Sequence, residues 1–452
     1  MLTGLVLLLL PLAGAADDVE GGANISATAR VGTSNCTATL DGCGWLSFND
    51  AAVFSPWVSA RPNASVSARA SMDIRLHGPS ADHGLSSGSN QSPWSVRIDD
   101  AWVSARGSNT ELKLGVQRLA WGVASGISVV DNVNPLNLED PTVFDQRLSV
   151  LMGVAKAHTE TLALTAALVP FFVPAAMPAV NVDLMANTDD VFDARLTGSR
   201  EMTLGSLETR TTVPNDSLKN TAVAAQLRWT PAIGDFALSW YSGRDSLPQV
   251  SGDLNLLGYQ TRSNAVDVGI PLVYARQHVL GFTSRAALPG DFTGWTEAAL
   301  TLSDATGTQP QSAQLAALRD LGLIDAVPSP IPRTETQDGE PYVKWIVGAD
   351  RAVGPVRIVG QWLHGFFTER SAADIRDYGL LGVSYSISPT VRIDTSAASD
   401  FDGYLAEAGL TFLHADTAEI KLAATHIDGA DESSFGGLKS ASNLRTTVSM
   451  SF

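Results

Sequence analysis

From about residue 64 the chain keeps one rhythm, in which segments of roughly ten residues alternate apolar and polar side chains between clusters of turn-forming residues. Across 64–77, Val66, Ala68, Ala70, Met72, Ile74 and Leu76 share one face, while Arg69, Asp73 and Arg75 share the other. The pattern returns where Leu112, Leu114 and Val116 oppose Glu111, Lys113 and Gln117, and where Val223, Leu227 and Trp229 oppose Gln226 and Arg228. It returns again at Val343, Trp345 and Val347, at Leu381, Val383, Tyr385 and Ile387, and at Ile420 and Leu422 against Glu419 and Lys421. Each stretch predicts a strand with two unlike faces. In a soluble sandwich these would be core and solvent; in a transmembrane barrel they would be lipid and lumen.

The connections separate those alternatives, because they alternate long and short. Gly78 to Pro93, Trp121 to Gln146, Phe172 to Asn220, Asp245 to Pro271 and Ala305 to Pro341 are long. Gly107 to Thr110, Ala157 to Glu160, Pro231 to Asp235, Leu288 to Asp291 and Ala352 to Pro355 are tight. Ser388-Pro389 and His414 to Thr417 keep the tight side where the outer loops shorten. Outer-membrane barrels carry long extracellular loops and short periplasmic turns, whereas a sandwich has no reason to sort its loops by end. The expected fold is all-β: a transmembrane antiparallel β-barrel of about sixteen strands over residues 64–452.

Composition agrees. Of 452 residues only 17% are charged and 44% are hydrophobic, yet no run of apolar residues is long enough for a spanning helix. A net charge of −17 with no basic run excludes a nucleic-acid binder. Residues 1–15 read as a signal peptide, with an apolar core from Leu5 to Leu12 and the small-x-small Ala13-Gly14-Ala15, although no Lys or Arg precedes the core. Residues 16–63 are expected to form an N-terminal periplasmic arm or plug-like extension, with an extra strand as the other reading. Cys36 and Cys43 within it are expected to form a small-loop disulfide in an oxidising periplasm.

Two further stretches stand apart. Gln311 to Val327 carries leucines at nearly helical spacing and predicts a short helix inside an outer loop. The alternating run Thr446, Val448, Met450 and Phe452 ends on an aromatic residue, which is similar to the signal read by the barrel-assembly machinery.

The segment Leu112-Lys-Leu-Gly-Val-Gln-Arg-Leu-Ala-Trp-Gly122, continued by Asp131-Asn-Val-Asn-Pro135, resembles a large and little-characterised family of proteobacterial outer-membrane barrels related to porins and exporters. Leu162 to Pro178 shares the likeness, which is clear over about residues 94–180. The resemblance implies an outer-membrane barrel and little about substrate.

Read from its residues, the loop after Gln117 mixes Asp131, Asn132, Asn134, Asn137, Glu139 and Asp140 with Ile127, Val129 and Leu136, and is stiffened by Pro135 and Pro141. It is expected to fold inward and narrow a pore, with Arg118, Asp131, Asn134 and Arg147 near the constriction. The alternative packs it on the rim with Trp121 as an interface anchor. The polar faces would line the lumen with Arg69, Asp73, Arg75, Arg97, Asp99, Lys113, Gln117, Arg228, Lys344, Arg357, Gln361, Arg392 and Asp394, a mixture of both signs that would set selectivity.

Nothing points to an enzyme, a cofactor or a metal. There is no Gly-x-Ser-x-Gly elbow, no His-Glu-x-x-His and no phosphate-cradling glycine loop. A barrel-borne lipid hydrolase would have to draw on His278, His364 or His426 on outward faces. The expectation is a porin-like channel in a Gram-negative outer membrane, passing small solutes, amphipathic or apolar ones included. Its partners would be outer-membrane lipid, lipopolysaccharide and the assembly machinery, with a homotrimer as the common porin assembly. The rival reading is a non-conducting surface barrel with a structural or adhesive role.

Overall fold

The computed structural model describes residues 18–33, 50–77, 94–177 except 141 and 145, 203–260 except 216, 265–320, 329, and 334–452 except 415, 416 and 431. The wall begins with β1 (Asp18–Gly32), β2 (Asp50–Asn63), β3 (Val66–His77), β4 (Trp94–Arg106), β5 (Thr110–Gln117), β6 (Val150–His158) and β7 (Leu162–Val169). After the loop strand β8 (Thr203–Thr211) come the wall strands β9 (Ala222–Trp229) and β10 (Asp235–Arg244). Loop strands β11 (Gln249–Val250), β12 (Gly252–Gln260) and β13 (Ala265–Val273) precede the wall strands β14 (Arg276–Leu288) and β15 (Phe292–Ser303). The next outer excursion carries β16 (Thr306–Pro310), helix α1 (Ser312–Asp320) and β17 (Thr334–Gln337). The wall is completed by β18 (Tyr342–Val353), β19 (Val356–His364), β20 (Asp377–Ser388), β21 (Val391–Ser399), β22 (Gly403–His414), β23 (Ala418–Gly429) and β24 (Asn443–Ser451).

Every wall strand pairs antiparallel with the wall strands before and after it, and β24 returns to β1 from Asn24–Ser451 to Gly32–Asn443. The result is a closed cylinder of 18 strands in which no edge is left to bind another chain. Its outward positions carry Leu112, Leu114, Leu164, Leu168, Leu280, Phe282, Val343, Val347, Leu381, Ile420 and Leu422, all exposed. A ring of exposed leucine, valine and phenylalanine is stable against acyl chains and not against water. None of the described helices is long and apolar enough to cross a membrane; the strands do so instead.

The strand count corrects the expected sixteen. From residue 66 onward the wall holds sixteen strands, and β1 and β2 add two more from the stretch expected to be an arm or plug. Both hide their nature. β1 is built largely from Gly21, Gly22, Ala23, Ser26, Ala27 and Thr28, too small to show alternation, and β2 contains Pro56 and Pro62, which argue against a strand. The fold accommodates Pro56 where the β2–β3 pairing passes from Phe54–Ile74 to Trp57–Ser71. The expected signal peptide and the expected Cys36–Cys43 disulfide lie outside the described residues.

The ends of the barrel differ as the loop lengths require. Among the described residues seven short turns lie at one end, from Ala64-Ser65 to Pro389-Thr390, and the long loop 118–149 lies at the other. The predicted helix is found at Ser312–Asp320. Unforeseen is a second, six-stranded sheet among the outer loops, where β13 joins β8 in parallel and β11 and β12 antiparallel, and β12 continues to β16 and β17.

One close approach fixes a glycine. Gly115 in β5 has φ +134°, and a Cβ built there would lie 2.1 Å from the Ala101 carbonyl oxygen. Gly115→Ala is expected to cost about 1–3 kcal/mol in strain. It should lower the fraction of heat-modifiable, folded barrel recovered on refolding; an unchanged yield would contradict this packing.

Candidate functional site

The loop between β5 and β6, residues 118–149, lies inside the barrel. Its hydrogen bonds and ion pairs reach β15, β19, β3, β4, β1 and β24, strands from around the whole circumference, and only a segment within the lumen touches all of them.

The firmest attachment is Glu297 on the inward face of β15, which is 0% exposed. Its Oε1 accepts from the backbone N–H of Val123 at 2.5 Å and of Ala124 at 2.8 Å. Its Oε2 accepts from Ser128 Oγ at 2.8 Å and the Val129 N–H at 3.0 Å. A buried carboxylate is tolerable only when its lone pairs are met in this way. Beside it, Gln361 of β19 clasps Ser125 by both ends: the side-chain oxygen accepts from the Ser125 N–H at 3.1 Å and the amide donates to the Ser125 carbonyl at 2.6 Å.

Apolar contacts fill the rest. Trp121, Val130 and Val133 pack on the inner faces of β6, β7, β9, β10 and β14 through Val150, Met152, Val154, Val169, Tyr241 and Val279. Ile127 packs on the far wall against Ile346, Leu363, Tyr378 and Leu405. Trp121 is therefore a buried anchor within the lumen, not an interface residue on the rim. Gln117 and Asn134, expected beside water, are buried beneath the loop. Gln117 donates to the Met152 carbonyl, and Asn134 buckles the loop by accepting from the Leu119 N–H and donating to the Leu148 carbonyl.

Beyond this plug the loop presents two carboxylates to a basic wall. Glu139 pairs with Arg75 at 2.9 Å and Arg97 at 2.5 Å; Asp140 pairs with Arg30 at 2.6 Å and Arg445 at 3.6 Å. The row continues through Arg445 and Lys421 to Glu407. Burial would raise both loop carboxyls, but the facing guanidiniums outweigh it and hold Glu139 and Asp140 below the usual carboxylate range. Asp73, in the same row, accepts from Ser55 Oγ and pairs with Arg75. Arg118 leaves the loop for the wall, pairing with Asp99 at 3.1 Å.

The other expected lumen residues divide by depth. Arg69 lies near Asp100 and over the Trp57 ring, and Lys113 sits 3.8 Å from the centre of the Trp102 ring. Towards the short-turn end, Arg228, Arg357 and Arg392 face inward, about half exposed, and pair with Asp235, Asp350 and Asp394. Lys344 is covered: its Nζ donates to the carbonyls of Phe366 and Glu369 in the 365–376 loop. The charged row missed in the sequence runs through Arg30, Glu407 and Arg445. Glu297 was missed as well, and its signal was a lone acid in the run Trp295-Thr-Glu-Ala-Ala299.

Asp131 and Arg147 meet within the loop, although no hydrogen bond joins them. Burial pushes Asp131 up to about 6, opposed by the Arg147 charge and reinforced by Glu297. A raised carboxyl favours the seated loop in its protonated form. That contribution is complete below the ordinary carboxylate range and is lost as pH rises through about 6. Amide protection of 123–131 is expected to be greater at pH 5 than at pH 7, after correction for intrinsic exchange. Asp131→Asn should erase the difference, and an equal pH dependence in that variant would refute the assignment.

His364 is stacked on Trp345, and its Nδ1 faces Asp377 at 2.9 Å. Among the described residues no serine is hydrogen-bonded to it.

No family model matches the chain, and no curated protein matches it. Solved structures do. The chain is similar to the outer membrane protein OpdK from Pseudomonas aeruginosa, also solved with vanillate, at 10% identity and TM-score 0.51 over 97% of this chain and 100% of that one. It is similar to OccAB1 from Acinetobacter baumannii at 12% identity and TM-score 0.50, covering 97% of each chain. It is similar to OccK8 (OprE) from Pseudomonas aeruginosa at 12% identity and TM-score 0.50, over 97% of this chain and 98% of that one. At such identities the likeness shows the fold, which is that of these outer-membrane barrels.

Proposed function

We propose that the protein is a porin-like channel of the Gram-negative outer membrane, passing small solutes down their gradients past an inward-folded loop. The observation that carries this reading is the loop 118–149, hydrogen-bonded across the lumen to Glu297 and Gln361 and facing a basic wall with Glu139 and Asp140. Arg228, Arg357 and Arg392, inward and about half exposed, support a wet lumen beneath it. The likeness of residues 94–180 to an outer-membrane barrel family agrees with this. A wall carrying Arg30, Arg75, Arg97 and Arg445 suits a solute with an anionic end, and vanillate, present in one OpdK structure, is the first to try. The lipid, lipopolysaccharide and assembly-machinery partners belong to the same proposal.

A second reading has its own support: the apolar packing of Ile127 on the far wall favours a barrel shut at rest, with the loop as its gate. Planar-bilayer recording with a panel of salts tests both. Unitary steps are expected from the wild type, with larger steps after deletion of Ile127 to Asp140. Absence of current in either orientation, in the wild type and in the deletion, would remove the channel reading.

A further inference from the structure

Behind the loop, on the side away from the Glu139 and Asp140 pairs, lies a cavity of about 60 Å³. Its lining includes Arg147 of the loop, Gln277, Tyr342 and Lys344 of the wall, Asp245, and Arg370 of the 365–376 loop. That is three cationic side chains against one carboxylate, and the carboxylate is already taken, since Asp245 forms an ion pair with Arg370. Lys344 is buried; its Nζ donates to two backbone carbonyls, at 2.5 and 2.6 Å, and lies 5.6 Å from the centre of the Tyr342 ring, with no carboxylate hydrogen-bonded to it among the described residues. The Arg147 guanidinium makes one long hydrogen bond among the described residues, 3.4 Å to the Ser128 carbonyl, and faces Asp131 without bonding to it. Asp131 and Glu369 are the other acids nearby. Asp131 makes no hydrogen bond to Arg147, and the Glu369 carboxylate is occupied by the Phe366 and Arg376 N–H groups and the Tyr378 hydroxyl.

We infer that this cavity is a binding site for a small inorganic monoanion of halide size, held between Arg147 and Lys344. A buried lysine and a partly buried arginine, neither hydrogen-bonded to a carboxylate although Asp131 and Glu369 lie near, carry an electrostatic cost that an anion between them lowers. The volume admits such an ion with accompanying water, since a single water needs roughly 10–15 Å³ on the same measure. Neutral water alone would meet the hydrogen-bonding needs and not the charge. The site joins the pore loop to the 365–376 loop, because Arg147 belongs to the first and the carbonyls on Lys344 belong to the second. A bound anion therefore fastens one to the other from the outer side. This goes beyond solute passage, and it is a property of the folded barrel whether or not current flows.

The test is crystallographic and thermal. In crystals grown from the wild-type protein in bromide, an anomalous peak is expected in the cavity within hydrogen-bond distance of Arg147 and Lys344, and it should vanish in Arg147→Gln. The detergent-solubilised wild type should melt a few degrees higher in bromide than in gluconate at equal ionic strength, and Arg147→Gln should lose that difference. A cavity without an anomalous peak, a peak that persists in Arg147→Gln, or identical melting in the two salts would each overturn the proposal. Arg147 sits on a loop and not in a strand, so its replacement leaves the barrel wall intact for the comparison.

Discussion

Glu297→Gln should release the first half of the pore loop and raise unitary conductance about twofold or more, a change of the size expected when a constriction is withdrawn. In the native barrel one carboxylate receives four donors, three of them backbone N–H groups. The amide keeps one oxygen and replaces the other with an NH₂ group that points donors at donors. Bonds to a charged acceptor contribute about 1.5–3 kcal/mol each, and an abandoned buried donor costs about 1–3 kcal/mol, so the seat weakens by roughly 3–6 kcal/mol. Against that stand the buried side chains of Trp121, Val130 and Val133, each contributing about 1.5–3 kcal/mol. They lie on the β6 to β14 wall and hold the loop there, so the stretch 123–129 comes away while Trp121 stays seated. The predicted signature has two parts: larger current steps, and lost amide protection at 123–129 with the wall strands still protected. Gln361→Ala removes only neutral hydrogen bonds and should produce a weaker version of both. If Glu297→Gln left conductance and protection unchanged, the carboxylate would not be what holds the loop.

Much of this barrel is legible from alternation and loop length, and the exceptions have physical causes. β18 shows Val343 and Val347 outward against Tyr342 and Lys344 inward because lipid and lumen differ sharply in polarity. β1 and β2 stay hidden because small residues and prolines satisfy a barrel register without announcing it. The mixture of acids, asparagines and prolines in the 118–149 loop leads to the expectation that it folds inward, yet its seat is not foreseen. The missing clue lies in β6, where Val150, Met152 and Val154 face inward while Leu151 faces out. A strand apolar on both faces has no place beside water, and here it marks where Trp121 and Val133 dock. The same cause explains why Gln117, Asn134 and Lys344, read as pore-lining, are buried: alternation tells which side of the wall a residue takes and nothing about what then covers it. The Arg30, Arg75, Arg97 and Arg445 row could not be assembled from sequence at all, since it joins β1, β3, β4 and β24, and β1 meets β24 only on closure.

That row supplies the second large effect. Replacing both loop carboxylates, Glu139→Gln with Asp140→Asn, should shift the channel towards anions by about tenfold in permeability ratio, which corresponds to roughly 1.4 kcal/mol. The reasoning is electrostatic. Glu139 and Asp140 each neutralise part of a cluster of four arginines, and removing two negative charges exposes positive potential on the wall facing the loop. Pairs a few ångströms apart near a protein surface interact by about 4 kcal/mol, so about a third of one such interaction surviving the screening by water and salt supplies the tenfold change. Loop displacement competes with this effect, because the ion pairs also hold the loop tip. Conductance and selectivity separate the two: displacement enlarges the current step without favouring either ion, whereas unmasked arginines shift the reversal potential in a salt gradient. The shift should shrink as salt rises and disappear when Arg75 and Arg97 are also replaced by glutamine, which restores the charge balance of the row. A reversal potential that stays at the wild-type value in the double carboxylate variant would mean that permeating ions do not pass this row.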